Sequence, residues 1–178
     1  MKPLVTISNR QRGQRVDTRW LRQIAKALLT ELLRVEPADL GIHLVAVLEM
    51  TRLNETFLRH RGSTDVITFD YANRGGQSFV TAPKIRATTR RCPPLHGEIF
   101  ICMDEAVWQA RKFRTSWQSE IVRYLVHGVL HLLGQDDSSN SERRKMKREE
   151  NRLLRELSRR FSLAQLARPA KLSLCKNR

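Results

Sequence analysis

Apolar residues recur along this chain at two spacings, one typical of helices and the other of short strands. After Asp17 and Thr18, either of which can cap a helix, they recur every three or four positions. These residues are Leu21, Ile24, Ala25, Leu28, Leu32 and Val35. The spacing predicts a helix with one buried face. Similar patterns predict helices at residues 51–60, 104–113, 116–133 and 141–160. Gly62 would end the second helix, and Ser139 with Glu142 would form a capping box for the last.

Branched and aromatic residues concentrate in four short segments, which predict β-strands. The segments are residues 4–8, 42–48, 64–71 and 96–102. Residues 72–95 contain Gly, Pro, Thr and Arg without periodicity, and we interpret them as a long basic loop. Because strands and helices interleave, the predicted class is α/β or α+β, with a small sheet of about four strands flanked by about five helices. The pattern leaves the strand order open.

The chain is strongly basic. Its 178 residues include 33 Lys and Arg against 18 Asp and Glu, a formal net charge of +15. Between Arg143 and Arg178 there are thirteen basic and three acidic residues, so much of the excess lies near the end of the chain. This excess favours a polyanionic partner such as RNA. We expect one domain over residues 1–160, followed by a flexible basic tail over residues 161–178.

Apolar runs and cysteines indicate the compartment. The longest apolar run, residues 122–133, is interrupted by polar and charged residues and is too short to span a bilayer. The N-terminus lacks the apolar region of a secretory signal. Cys92, Cys102 and Cys175 are odd in number and irregularly spaced, which suggests reduced thiols. We therefore expect a cytoplasmic protein that does not bind membranes.

Two histidines and an aspartate have the spacing of a metal site. His127 and His131 are four residues apart, so on a helix their imidazoles lie on the same face. Gly134 follows, where a residue with positive φ commonly ends a helix, and Asp137 can then return a carboxylate to the same cation. Two His and one carboxylate leave coordination positions open, as a catalytic metal requires. The alternative is that the histidines are core residues of an apolar helix.

The residue after the first histidine limits the chemistry. Helical zinc proteases carry Glu directly after the first His, where it serves as the general base. Gly128 occupies that position here and has no side chain for proton transfer. Peptide hydrolysis is therefore the weaker interpretation.

Four short motifs follow one another along the chain: Leu53-Asn54 at the start of the short helix, residues 64–69 (TDVITF), residues 97–101 (GEIFI) and residues 127–134 (HGVLHLLG). In this order they resemble the YbeY family, the bacterial rRNA maturation factors regarded as metal-dependent endoribonucleases. That family has Leu-Asn, TDVLSF, GDIFI and HGxLHLxG at the corresponding places. The resemblance implies a small mixed sheet and single-strand-specific RNA cleavage in 16S rRNA 3′-end processing and ribosome biogenesis. The implied partners are rRNA and the small ribosomal subunit.

The chain departs from the family pattern at two positions. Asp137 stands where the family usually has a third His, and an acid there still binds metal. The expected ligands of one divalent ion are therefore His127, His131 and Asp137. We expect Zn²⁺, although Fe, Mn or Ni suit such a site as well. Leu58 stands where the family has an Arg thought to face the substrate phosphate, and Arg59 or Arg61 is the candidate replacement.

The resemblance implies a reaction at a phosphodiester bond. The metal would act as a Lewis acid on a phosphate oxygen, and Arg59 would stabilise the developing charge. Glu98 or Asp65 would accept a proton, unless these are ordinary carboxylates at strand ends. Two other functions stay open. One is a non-catalytic rRNA-binding assembly factor with a structural metal, and the other is a metallopeptidase-like hydrolase.

Overall fold

The computed structural model describes residues 3–72 and 95–167. Its strands are β1 (Leu4–Asn9), β2 (Ala38–Val45), β3 (Val66–Asp70) and β4 (Leu95–Cys102). Its helices are α1 (Thr18–Ala27), α2 (Val47–Leu53), α3 (Met103–Phe113), α4 (Trp117–Leu132) and α5 (Asn140–Arg160). π-helical turns at Leu28–Leu32 and Asn54–Leu58 extend α1 and α2, and a 3₁₀ turn follows α5 at Leu163–Leu166. Most of the predicted loop (residues 73–94), residues 168–178, Cys92 and Cys175 lie outside the described residues.

The four strands form one mixed sheet in the order β1-β2-β4-β3. The strands β1 and β2 pair in parallel, as do β2 and β4, whereas β3 is antiparallel to β4. Parallel neighbours need a crossover connection, which α1 provides between β1 and β2. Within the described residues, these four strands and five helices confirm the predicted fold class.

Side chains of β4 alternate between the two faces of the sheet. Ile99 and Ile101 lie in the main core, to which α1, α3, α4 and α5 also contribute. Phe100 and Cys102 lie on the other face, in a smaller cluster with Met50 of α2. Residues that are neighbours along β4 therefore face different sets of helices.

The helix α2 begins at residue 47 rather than at residue 51 as the periodicity predicted, and the preceding strand ends at Val45. Asp104 of α3 accepts a hydrogen bond from the backbone N–H of Val47 at 2.7 Å. This bond satisfies a donor that the first turn of a helix leaves without an intrahelical partner. Because Asp104 is 57 residues from Val47, the local pattern does not reveal this start.

The first part of the predicted tail packs against the domain. Leu166 is fully buried, and the rings of Trp20 and Phe161 meet edge to face with centroids 5.5 Å apart. Val16 and Ala167 form an isolated antiparallel bridge. The expectation of a flexible tail from residue 161 is therefore corrected for residues 161–167, because Leu166 is buried in the core and Phe161 packs against Trp20 of α1.

Two glycines allow α4 to lie close to the sheet. A Cβ on Gly128 would lie 2.9 Å from Cγ2 of Ile99 and 3.2 Å from Cγ2 of Thr68. A Cβ on Gly97 would lie 2.9 Å from Cδ2 of Leu132 in α4, and 2.5 Å from the carbonyl oxygen of Phe69 in the neighbouring strand β3. Side chains do not pack this closely, so both positions need glycine for the observed contact between α4 and the sheet.

We expect Gly128→Ala to destabilise the fold, because overpacking in a core costs about 1–3 kcal/mol. Alanine has a higher helix propensity than glycine by about 1 kcal/mol. The net loss in the free energy of unfolding therefore falls in the lower part of the range of about 1–3 kcal/mol. Urea unfolding followed by circular dichroism measures the change. Gly13→Ala is the control, since a Cβ there would lie 3.7 Å from Oε1 of Gln11. Equal unfolding midpoints for the two variants would contradict the close packing of α4.

Candidate metal centre

The C-terminal end of α4 positions the first two predicted ligands. Ser116 caps the N-terminus of this helix, and His127 and His131 lie one turn apart near its other end. Gly134 has a φ of +80° and lies where the helix ends, as predicted. The chain then turns back and brings Asp137 to the two imidazoles.

Three candidate donor atoms meet at this point. The Nε2 atoms of His127 and His131 are 3.0 Å apart, and the two rings are nearly perpendicular. A carboxylate oxygen of Asp137 completes a set of donor atoms that all lie within 4.8 Å of one another. The three residues are half-buried. The structure thus brings together the residues that spacing selected, and metal binding by them stays a prediction.

The other ring nitrogen of each histidine faces a hydrogen-bond acceptor. Nδ1 of His131 lies 3.1 Å from the carbonyl oxygen of Gln135. Nδ1 of His127 lies 3.3 Å from Oε2 of Glu150. A carbonyl and an ionised carboxylate can only accept, so each Nδ1 carries the proton. In the neutral histidines, each Nε2 is then left with a lone pair.

Two lone pairs 3.0 Å apart repel one another unless a proton or a cation lies between them. A proton there would make one imidazole cationic. Burial, with a further contribution from His127, lowers the pKa of His131, which disfavours the cationic form at neutral pH. The donor set therefore fits a divalent cation, and acceptors on the far side of the rings are typical of histidines that ligate metals.

Glu150 of α5 belongs to this centre and was missed by sequence reasoning. Its side chain is only 5% exposed, and it accepts hydrogen bonds from Arg123 at 2.7 Å and Lys147 at 2.6 Å as well as from His127. Burial alone would raise the pKa of Glu150, but these hydrogen bonds outweigh burial and lower it to about 2. The carboxylate therefore stays ionised and holds His127 in one tautomer.

A signal for Glu150 was present in the sequence. It lies within the buried stripe of α5, whose apolar members are Met146, Leu153, Leu154 and Leu157. A carboxylate in a buried stripe needs charged or hydrogen-bonding partners. The pattern does not name those partners, because His127 is 23 residues away on another helix.

A cavity of about 200 Å³ opens beside His127. The charged residues that line it are Asp65, Asp137, Glu150, Arg123, Arg143 and Lys147. Arg143 donates a hydrogen bond from Nε to the backbone carbonyl oxygen of Asp137 at 3.2 Å, so it supports the segment that carries the third candidate ligand. Basic side chains next to candidate metal ligands suit an anionic substrate such as a phosphodiester.

The adjacent acids Asp136 and Asp137 differ in their surroundings. The carboxylate of Asp136 accepts hydrogen bonds from the N–H of Ser138 at 3.0 Å and from its hydroxyl at 2.6 Å. These bonds lower the pKa of Asp136. The carboxylate of Asp136 is thus bonded within the turn before α5. Asp137 is the acid whose carboxylate lies beside the two histidines.

Glu98, one of the two predicted proton acceptors, lies away from the histidines. Its neighbour Ile99 packs against Gly128 of α4, so Glu98 points to the opposite face of the sheet. There it accepts a hydrogen bond from the hydroxyl of Tyr71 at 2.9 Å and lies 3.2 Å from Nε2 of His43. The expectation that Glu98 acts at the metal centre is corrected, because the sheet separates the two.

Asp65, the other predicted acceptor, does reach the centre. It precedes β3 and lines the cavity together with His127. Its Oδ1 accepts hydrogen bonds from the N–H of Val66 at 3.0 Å and the hydroxyl of Thr64 at 3.1 Å. These bonds fix the carboxylate at the edge of the cavity.

Comparison with known proteins identifies the family. A family model described as Endoribonuclease YbeY matches residues 6–158. The chain belongs to the YbeY family. The Endoribonuclease YbeY of Anaeromyxobacter sp. (strain Fw109-5) is 32% identical over 151 residues, which cover 85% of this chain and 70% of that protein. The Endoribonuclease YbeY of Chlorobium phaeovibrioides is 35% identical over 106 residues, and the match spans only 60% of that protein's length and 60% of this chain.

A solved structure agrees with this membership at the level of the fold. The solution structure of TM1509 from Thermotoga maritima has a TM-score of 0.59 to this chain at 20% identity, and the match covers 98% of this chain and 100% of that one. At such low identity the likeness concerns the fold alone. The resemblance to the YbeY family drawn from four motifs is confirmed by the family match.

The arginines that were candidates for the YbeY phosphate contact lie on a loop. The π-helical turn ends at Leu58, and Arg59 caps it with a left-handed φ of +56°. The helix therefore ends before Gly62, which corrects the predicted end. The buried side chain of Asn54 donates a hydrogen bond to the carbonyl oxygen of Gly62 at 2.8 Å and so holds this loop. Arg59 and Arg61 are exposed on it.

Proposed function

We propose that this protein is a metal-dependent endoribonuclease that cleaves single-stranded RNA during rRNA maturation. Membership of the YbeY family supports the endoribonuclease activity. The observation that carries the metal dependence is the pair of Nε2 atoms of His127 and His131, 3.0 Å apart beside Asp137. The proposed target is the 3′ end of 16S rRNA in the small ribosomal subunit, as the sequence resemblance implies.

His127, His131 and Asp137 would hold one divalent ion in this proposal. Gln135 and Glu150 orient the two imidazoles from the far side of the rings. Two His and one carboxylate suit Zn²⁺, and also Fe, Mn or Ni. A bound ion would supply Lewis acidity to a phosphate oxygen.

Basic side chains would bind the substrate phosphate. Arg143 lines the cavity, and its Nε bond to the carbonyl oxygen of Asp137 leaves other guanidinium N–H groups to donate to phosphate oxygens. Lys147 lines the same cavity but is bonded to Glu150. Arg59 is exposed on the loop that leads to Asp65. Its proposed contact is therefore with the part of the RNA strand that leaves the cavity.

Asp65 is the proposed proton acceptor. Its Oδ1 is held by Thr64 and Val66, which leaves Oδ2 to take a proton from an attacking water or 2′-hydroxyl. This role needs only that the attacking group lie within hydrogen-bond distance of Oδ2 in the complex.

A cytoplasmic location with RNA as the partner completes the proposal. No helix in the part of the chain that the structure describes is long and apolar enough to cross a bilayer. Cys102 is buried as a free thiol, which suits a reducing compartment. The net charge of +15 supports a polyanionic partner.

Two alternatives make different predictions. An assembly factor with a structural metal would bind rRNA without cutting it. A metallopeptidase would need a general base, and the position after the first histidine cannot supply one. Gly128 packs against Ile99 so closely that even a Cβ would clash there.

The decisive experiment compares a single-stranded RNA with a duplex of the same sequence, with and without a chelator. We expect cleavage of the single strand, loss of cleavage with the chelator, and recovery when Zn²⁺ is added back. Binding without cleavage by the zinc-loaded protein would favour the assembly factor. Cleavage of casein in place of RNA would favour the peptidase.

A further inference from the structure

Helix α5 carries nine basic and four acidic residues, and its basic side chains fall into two groups. Each side chain of the first group forms an ion pair with a carboxylate. The pairs are Arg152–Glu149, Arg159–Glu156, Arg160–Glu31 and Lys147–Glu150. The second group includes Arg144, Arg148 and Arg155. Among the residues that the structure describes, none of these three has a carboxylate within 4.0 Å.

These three residues form what we name the α5 arginine stripe. Their spacing of four and seven positions places them on one face of the helix, and all three are exposed. At a rise of 1.5 Å per residue, the stripe is about 16 Å long. Like charges four residues apart destabilise a helix, so Arg144 beside Arg148 does not serve the fold. A surface that the fold does not need is a candidate for binding a partner.

The stripe is continuous with the candidate metal centre. Lys147 lines the cavity. Asn151, one helical turn further along, accepts a hydrogen bond from Arg123 of the same cavity at 3.2 Å. Asn151 also borders a shallow groove on the outer surface of α5, together with Arg148 and Arg155. A polar and basic surface therefore runs from the cavity to the far end of the stripe.

We propose that the α5 arginine stripe binds the backbone phosphates of single-stranded RNA beside the scissile bond. The inference rests on the proposed function of the metal centre. Guanidinium groups donate paired hydrogen bonds to phosphate oxygens, and such contacts set the position of a strand without reading its sequence. An RNA strand held along about 16 Å of this helix would pass beside the cavity, which Lys147 of the same helix lines.

The test uses the full chain with Arg144→Gln, Arg148→Gln and Arg155→Gln combined, since Gln keeps helix propensity. The control combines Arg12→Gln, Arg15→Gln and Arg19→Gln, three exposed arginines near the N-terminus, so that both variants lose the same charge. The probes are a labelled 20-nucleotide single strand and a tetranucleotide, titrated at several salt concentrations with chelator present to prevent cleavage.

We expect the stripe variant to bind the 20-nucleotide strand about tenfold or more weakly at low salt. Its salt slope should be shallower by up to about two units, because each phosphate contact on a single strand contributes about 0.7. The control should match wild type, and the tetranucleotide should bind equally to all three proteins. In metal-loaded protein, cleavage of the long strand should show a raised KM with kcat unchanged.

Equal losses in the stripe and control variants would overturn the inference, since only overall charge would then matter. An equal loss for the tetranucleotide would overturn it as well. If wild type binds RNA through the stripe but cleaves nothing when metal-loaded, the stripe stands and the proposed catalytic function fails. If wild type cleaves RNA and the stripe variant matches it at every salt concentration, the function stands and the stripe fails.

Discussion

His131→Ala is expected to lose bound metal and to reduce RNA cleavage to background. Wild type should hold about one divalent ion per chain, because three donor atoms lie within 4.8 Å of one another. Changes outside the ligand set already cost about 10–100-fold in metal affinity or activity, so removing a ligand costs at least that much. Elemental analysis of the purified protein and a single-turnover cleavage assay measure the two effects. His96→Ala is the control, because His96 is exposed on β4, on the side of the sheet away from α4.

The aspartates refine this test of the ligand set. Asp137→Ala should weaken metal binding, whereas Asp137→His should retain it with a third imidazole. Asp136→Ala should bind metal like wild type, since its carboxylate is bonded to Ser138 in the turn. Equal metal content in wild type and His131→Ala would refute the centre. Loss of metal in Asp136→Ala but not in Asp137→Ala would show that Asp136 is the third ligand.

Glu150→Gln is expected to weaken metal binding by about 10–100-fold with all three ligands in place. The neutral amide keeps the shape of the side chain but removes the charge that fixes His127 in the tautomer with a free Nε2. It also removes one of the two buried carboxylates that Arg123 contacts, the other being Glu120 at 3.4 Å, and we expect a loss of about 1–3 kcal/mol in the free energy of unfolding. Competition with a chromophoric chelator gives the affinity, and urea unfolding of the metal-free protein gives the stability.

Glu149→Gln is the matched control, one position along the same helix. Glu149 is bonded to Arg152 on the surface, where an ion pair contributes about 0–1 kcal/mol. This variant should keep the metal affinity of wild type and nearly all of its stability. If Glu150→Gln and Glu149→Gln bind metal equally well, Glu150 does not orient the ligand.

Elements whose signals are local could be predicted from the sequence. The last helix is an example, because the hydroxyl of Ser139 accepts the N–H of Glu142 at 3.2 Å in the capping box that the sequence predicts. The strand β1 and the helices α3 and α4 also lie within a residue or two of their predicted bounds. Hydrophobic periodicity and capping act over a few residues, so they can be recognised without the fold.

The candidate ligands could be predicted for the same reason. His127 and His131 share one helical turn, and Gly134 reverses the chain within three residues, so the pattern alone brings Asp137 near them. Family membership could also be predicted, since four short motifs in order carry it. The candidate ligands are close together in the chain, and the family motifs can be recognised from their order along it.

The tertiary structure decided the remainder of the centre. It placed Glu150 against His127 across two helices, and it placed Glu98 on the far side of the sheet. It also set the strand order and the start of α2, which depends on Asp104. Each of these features is a contact between residues far apart in the chain, and its free energy depends on how whole elements pack. The sequence by itself determined which residues are the candidate metal ligands. Only the packing of α4 between the sheet and α5 decided which groups lie within hydrogen-bond distance of them and which lie out of reach.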